Sequence, residues 1–353
     1  MTTQTTRKTR WLTALTGILL FSLPLLSACG KTEAVNGAAA AGSGTAVGAV
    51  KEKIVVNLGI QGSTNLFSYA RDKKIFEEAF AKAGAEVKWH EFASGPPHFE
   101  ALASGRLDFG SVGGTPVVSA QTGGVDFKAI AVTGDGKKGN AIVLPKGSTI
   151  KDIKELRGKK IAVAKGSSAY NFLYRTLEAA GLKDSDVKII QLQPDEAKPA
   201  LDTGAIDAWS VWEPYITTAV VQSKASILVS GQELGVVAPG FLVARTQFTE
   251  QHPELTVLFL KTYEELRQYY TSHYDEVTDH FVKTKKVDKE IVSTVLKKSE
   301  PLLSPITPEF AKAHQDQADF LFNAGAITKK LDTSKVLESK FVEQALKELK
   351  EGK

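Results

Sequence analysis

Ala101-Leu102-Ala103-Ser104-Gly105-Arg106-Leu107-Asp108-Phe109-Gly110-Ser111-Val112 is echoed further along the chain by Ala200-Leu201-Asp202-Thr203-Gly204-Ala205-Ile206-Asp207-Ala208-Trp209-Ser210-Val211. Both stretches read as a helix end, a glycine suited to the left-handed cap conformation, an aspartate and a short apolar strand. Each runs into a new helix start, Gly113-Gly114-Thr115-Pro116 in the first and Trp212-Glu213-Pro214-Tyr215 in the second. A unit used twice predicts two similar α/β lobes. Facing lobes enclose a cleft of strand ends and helix N-termini, which is where α/β sheets hold ligands. The plainer alternative is convergence on a common local pattern.

Outward from these stretches the alternation continues. Residues 54–60 read as a strand, 61–65 as a polar loop, and 66–83 have helical spacing that ends near Gly84. A strand over 87–92 follows, then a helix opened by Pro96 and Pro97 and running to Ser104. Strands over 109–112 and 127–132 complete a first sheet. Residues 140–144 begin a second block, with a helical segment over 150–156, a strand over 160–164 and a helix from Gly166-Ser167-Ser168 to Ala180, capped by Gly181. A strand over 187–192, a helix to Thr203, a strand to Val211, a helix through Val221 and a strand over 227–229 complete it. This order predicts parallel sheets with covered faces. Residues 241–244 read as a strand returning to the first lobe. From Glu250 onward the chain is almost wholly helical, with breaks near Tyr274, Val287, Pro301 to Pro308 and Gly325, and these helices are expected on the first lobe. The boundaries adopted are 53–139 with 245–353 for a discontinuous first lobe and 140–244 for the second. Two crossings between lobes permit hinge closure.

The N-terminus sets the compartment. Arg7, Lys8 and Arg10 precede an apolar stretch over 11–26 that is interrupted by Pro24 and short for a membrane span. Leu26-Ser27-Ala28-Cys29 then matches the bacterial lipobox, in which the thiol receives a diacylglycerol and the cysteine becomes the mature N-terminus. Residues 1–28 are therefore read as a lipoprotein signal peptide. Cys29 is the only cysteine among 353 residues, which excludes disulfides within the chain. Residues 29–52 are rich in Gly, Ala, Ser and Thr and read as a flexible tether. The formal net charge is +4, and losing Arg7, Lys8 and Arg10 leaves +1. A near-neutral body argues against a nucleic-acid partner.

Candidate chemistry gathers at helix starts. Gly166-Ser167-Ser168 offers an N-cap serine and free N–H groups, an arrangement that binds anions and that also occurs as an ordinary cap. Gly114 and Thr115 repeat it in the other lobe. Trp209 and Trp212 lie three apart on a strand and so point to different faces; Trp212 is assigned to the cleft and Trp209 to packing. Glu213 could bond an amino group of a ligand or simply favour a helix start. The candidate ligand set is Gln61, Asn65, Gly114, Thr115, Ser167, Ser168, Trp212 and Glu213. His90, His98, His252, His273, His280 and His314 lack zinc spacing, and no nucleophile elbow, phosphate loop or dinucleotide fingerprint is found. No catalytic group, metal or cofactor is expected.

These features resemble the periplasmic-type substrate-binding lipoproteins of aliphatic sulfonate ABC importers, within a wider group that binds taurine, nitrate and thiamine precursors. The resemblance runs from residue 54 to about 332. It is carried by Glu91-Phe92-Ala93-Ser94-Gly95-Pro96-Pro97, Leu107-Asp108-Phe109-Gly110-Ser111-Val112-Gly113, Lys165-Gly166-Ser167-Ser168 and, most specifically, Asp207-Ala208-Trp209-Ser210-Val211-Trp212-Glu213-Pro214-Tyr215. Ala318-Asp319-Phe320-Leu321-Phe322 and Lys329-Lys330-Leu331-Asp332 add to it. The resemblance implies a two-lobed type II Venus-flytrap fold with parallel-rich sheets, a small anionic ligand held at helix N-termini, an ABC permease as partner, and a monomer at the cell envelope, in the periplasm or anchored to the outer face of the membrane. Two departures stand out. Gly114 replaces a common acid, and Gly59-Ile60-Gln61-Gly62 replaces a common Gly-Tyr-Gln-Lys. The alternatives are a binder of taurine, nitrate or a thiamine-precursor pyrimidine, an enzyme on the same fold, or a sensor or adhesion lipoprotein.

The lipobox reading has a direct test. Cys29→Ala should shift the protein from the detergent phase to the aqueous phase in phase partitioning without unfolding it. Unchanged partitioning would remove the anchor.

Overall fold

The computed structural model describes residues 53–352, so the signal segment, Cys29 and the tether to residue 52 lie outside the described residues. The first half begins β1 (Ile54–Gln61), α1 (Leu66–Asp72), α2 (Ile75–Lys82), β2 (Ala85–Phe92) and α3 (Gly95–Ala103). It ends β3 (Phe109–Gly113), α4 (Gly114–Thr122) and β4 (Phe127–Gly134). The second block is β5 (Asn140–Leu144), β6 (Lys160–Val163), α5 (Ser168–Ala179), β7 (Lys188–Gln191), α6 (Pro194–Asp202), β8 (Ala208–Trp212), α7 (Tyr215–Ser223) and β9 (Ser226–Ser230). The chain returns through β10 (Gly240–Arg245) and continues as α8 (Thr246–Gln251), α9 (Pro253–Ser272), α10 (Tyr274–Lys285), α11 (Lys289–Ser299), α12 (Pro308–Asn323) and α13 (Lys340–Lys350).

Two five-stranded sheets result, ordered β2-β1-β3-β10-β4 and β7-β6-β8-β5-β9. The orders are identical once β6 to β9 are matched to β1 to β4 and β5 to β10, so the repeat extends to whole sheets. The sheets are not wholly parallel as the alternation predicted. β10 is antiparallel to β3 and β4, and β5 is antiparallel to β8 and β9. The reason is the crossing itself. β4 ends at the cleft, and the strand that follows a crossing starts at the cleft and runs away from it. Because β10 pairs in the first sheet, residues 240–244 leave the range 140–244 drawn for the second lobe, and the return crossing lies before Gly240.

The repeated stretches behave alike in detail. Gly105 and Gly204 both take φ of 70°, the left-handed cap that glycine adopts without steric cost. The Asp108 carboxylate accepts the Asn57 N–H at 2.8 Å, and that of Asp207 accepts the Lys160 N–H at 2.7 Å, so each aspartate ties its strand to the neighbouring one. Asp108 is buried and also pairs with Arg245 at 2.6 Å, which fixes the start of β3 to the end of β10.

Two expected helices differ. Residues 66–83 form two helices, because Lys74 adopts the left-handed conformation at φ 57°. The break lets Phe67 of α1 and Phe76 of α2 stack with centroids 5.9 Å apart. Residues 150–156 form only a 3-10 turn, Ile153–Leu156, boxed in between the Asp152 cap and Gly158 at φ 74°. The C-terminal helices pack on the first sheet as expected, with Phe259 of α9 stacked 4.3 Å from Phe109. Two of them also reach the second lobe, α11 against α7 and α12 against α5.

His98 is fully buried between β1 and β3. A Cβ on either Gly59 or Gly110 would lie 2.7 Å from its Cδ2, so glycine at both positions makes room for the ring. His314 of α12 is equally buried, its ring 4.9 Å from that of Phe241. Burial lowers the pKa of both imidazoles from 6.5 to about 4, against hydrogen bonds that act the other way. The folded protein thus binds these protons less readily than the unfolded chain. Stability from this source is complete above pH 6.5 and falls as the pH drops toward 4. Urea denaturation over that interval should show the midpoint moving steadily down. A flat profile would mean that the two rings are not held neutral.

Candidate functional site

The strand ends and helix starts enclose a cavity of about 330 Å3 between the sheets. Gln61 closes β1, Ser111 and Gly113 close β3, Trp212 closes β8, and Ser167 and Ser168 open α5; all line it. Leu66, Phe67, Tyr263, Tyr270 and Val295 supply an apolar wall. Among the described residues that line it, Glu213 is the only charged one.

The starts of α4 and α5 meet here. A Cβ on Gly113 would lie 3.0 Å from the Cβ of Ser168, so the close approach depends on a residue without a side chain. First-turn N–H groups have no intrahelical partner, and the N-terminal end of each helix carries partial positive charge. Ser167 is buried and caps α5, its Oγ accepting the Tyr170 N–H at 3.3 Å. The Ser168 hydroxyl donates to Asn140 Oδ1 at 2.9 Å. Asn140 opens β5 and was not foreseen, since nothing local marks it.

Gln61 and Asn65 sit on the cavity wall and bond each other's surroundings. Gln61 Nε2 donates to the Ser111 carbonyl at 3.1 Å, Asn65 Nδ2 donates to the Gln61 carbonyl, and Asn65 Oδ1 caps α1 through the Ser68 N–H at 3.0 Å. Trp212 lines the cavity, edge-on to Tyr215 at 5.7 Å, while Trp209 is 1% exposed in the core. This is the division expected from strand alternation.

Two expectations need correction, and of the two readings of Glu213 the structure takes the helix-start one. The Thr115 hydroxyl faces away from the cavity, is 1% exposed, and accepts from Gln317 Nε2 of α12 at 2.9 Å. Gly114 also faces α12, where a Cβ would lie 2.5 Å from Gln317 Oε1 and 2.8 Å from the Pro239 carbonyl oxygen. α4 thus offers the cavity its backbone, and the space of the missing acid is filled by Gln317. Glu213, finally, is not open to a ligand amino group. Its carboxylate accepts the Thr217 N–H at 3.1 Å and hydroxyl at 2.9 Å and pairs with Lys298 at 2.8 Å. Lys298 and Gln317 were missed because they stand 85 and 202 positions from their partners. No group of three or more His, Cys, Asp or Glu among the described residues could hold a metal ion.

Two sheets of this order, with a cleft between strand ends and helix N-termini that Lys and Arg side chains do not line among the described residues, define a two-lobed, type II solute-binding fold of the periplasmic-binding-protein kind. The chain belongs to the NMT1-like family, whose sequence profile matches residues 62–282. A Bacillus subtilis relative named as an aliphatic sulfonates-binding protein is 45% identical over 335 residues, 95% of this chain and 97% of the relative. The solved aliphatic sulphonate binding protein SsuA of Escherichia coli is 28% identical, with a TM-score of 0.70 over 80% of this chain and 91% of that one. The alkanesulfonate-binding protein SsuA of Xanthomonas axonopodis pv. citri, bound to MOPS, shares the fold with a TM-score of 0.77 at 24% identity, over 82% of this chain and 99% of that one.

Gly114→Asp, which restores the acid, should destabilise the protein by about 2 kcal/mol or more, because it forces side-chain atoms against Gln317 and the Pro239 backbone. Chemical denaturation measures this. A variant as stable as the parent would show that α12 yields freely.

Proposed function

We propose that this protein is the extracytoplasmic binding component of an ABC importer and that it captures an aliphatic sulfonate. The observation that carries this reading is the meeting of α4 and α5 at Gly113 and Ser168, on a cavity that also has an apolar wall. A sulfonate head accepts several N–H bonds at once and satisfies both positive helix ends without a lysine or arginine. Phe67, Tyr263, Tyr270 and Val295 suit a hydrocarbon tail. The names of the relatives support the same ligand class. A lipid at Cys29 anchors the protein to the outer face of the cell membrane, and closure of the two lobes, 53–139 with the chain from 240 on against 140–239, encloses the ligand.

Calorimetry against propanesulfonate, taurine, nitrate and a thiamine-precursor pyrimidine tests the assignment. Propanesulfonate should bind best. On binding, the Ser168 hydroxyl exchanges Asn140 Oδ1 for a sulfonate oxygen, and Ser168→Ala should therefore weaken binding by up to roughly tenfold to a hundredfold, the scale of one bond to a charged group at about 1.5–3 kcal/mol. Equal binding by parent and variant would move the head group elsewhere, and a preference for nitrate or the pyrimidine would replace the sulfonate reading.

A further inference from the structure

The proposed cleft takes an anion, yet the only charge on its described lining is itself negative. Glu213 is 11% exposed at the side chain and borders the cavity beside Trp212. An unscreened carboxylate there would repel a sulfonate through a medium less polarisable than water. The structure provides the counter-charge from a distant part of the chain. Lys298, in the last turn of α11, reaches across from the helical C-terminal part to the second lobe and sets its ammonium 2.8 Å from Glu213 Oε1. Thr217 occupies both carboxylate oxygens as well, through its N–H and its hydroxyl. The neighbouring rim charges pair among themselves, Lys138 with Glu300 at 2.7 Å and Lys137 with Asp135 at 3.3 Å, and leave Glu213 to Lys298.

We propose that Lys298 is a specificity-determining residue. By neutralising Glu213 it lets the cleft hold an anionic head with an uncharged tail, and it denies a ligand ammonium the one carboxylate that could receive it. Without Lys298 the same cleft would favour a zwitterion. The inference rests on the sulfonate reading above and deepens it: the ligand is a sulfonate without an amino group.

The test uses two ligands of nearly the same shape, 1-propanesulfonate and taurine, which differ by a methyl against an ammonium. Calorimetry on the whole chain gives the ratio of their dissociation constants. The parent should prefer propanesulfonate. Lys298→Met bares Glu213 and should move the ratio toward taurine by on the order of tenfold, the scale of one partly solvated unit charge. Glu213→Gln leaves Lys298 uncompensated and should move the ratio the other way. In the Glu213→Gln background, Lys298→Met removes the second charge and should bring the ratio back to about the parent's and not beyond it toward taurine, a result that lost packing alone would not produce. Should Lys298→Met fail to fold, Glu213→Gln alone still decides through the direction of its shift. A ratio that neither variant moves, in a parent that binds propanesulfonate, overturns the role of Lys298 and leaves the sulfonate reading standing. A parent that binds neither ligand overturns both.

Discussion

Two helices point their positive ends at one spot. α4 and α5 start so close together that a single methyl on Gly113 would crowd Ser168. Like poles brought this near repel, and the arrangement is stable only because packing elsewhere holds the helices in place. α12 does part of this by donating from Gln317 to Thr115 on α4, while Arg175 of α5 lies over the Phe320 ring of the same helix at 3.9 Å. One helix outside both sheets therefore braces both α4 and α5. An anion placed between them would relieve the repulsion.

Much of this was legible in the sequence where the determinants are local. The Gly105 and Gly204 caps, the aspartates that follow, and the strand alternation that separates Trp209 from Trp212 are set by near neighbours, and together they carry the two-sheet plan. What escaped depends on partners far along the chain. Thr115 looked like a ligand donor because its helix-start position is right, but Gln317 claims the hydroxyl. Glu213 looked open because Lys298 sits at a helix end, where a lysine ordinarily serves the helix dipole. The antiparallel strands were missed because alternation alone does not record from which side a strand enters its sheet.

The floor of the cleft shows how a small residue at one level determines a large one at the next. Gly59 and Gly110 leave a gap between adjacent strands, and His98 fills it from below with its ring against Phe92 at 4.3 Å. A larger residue at either glycine would displace the ring. The backbone near the cavity is thereby held by an aromatic plug, and the absence of side chains at these two positions serves packing.

The placement of β10 has a consequence for the order of assembly. β4 joins the first sheet only through β10, which comes after the whole second block. The second sheet needs nothing beyond Ser230, since β5 precedes the strands it joins. As the chain emerges from its N-terminus, the later-starting lobe can therefore close first. The earlier one stays an incomplete sheet, with its gap between β3 and β4, until residue 245 is free to pair. Long-range pairing of this kind is slow. The strand that completes the first sheet, fourth in its order, is thus the last of all ten to arrive.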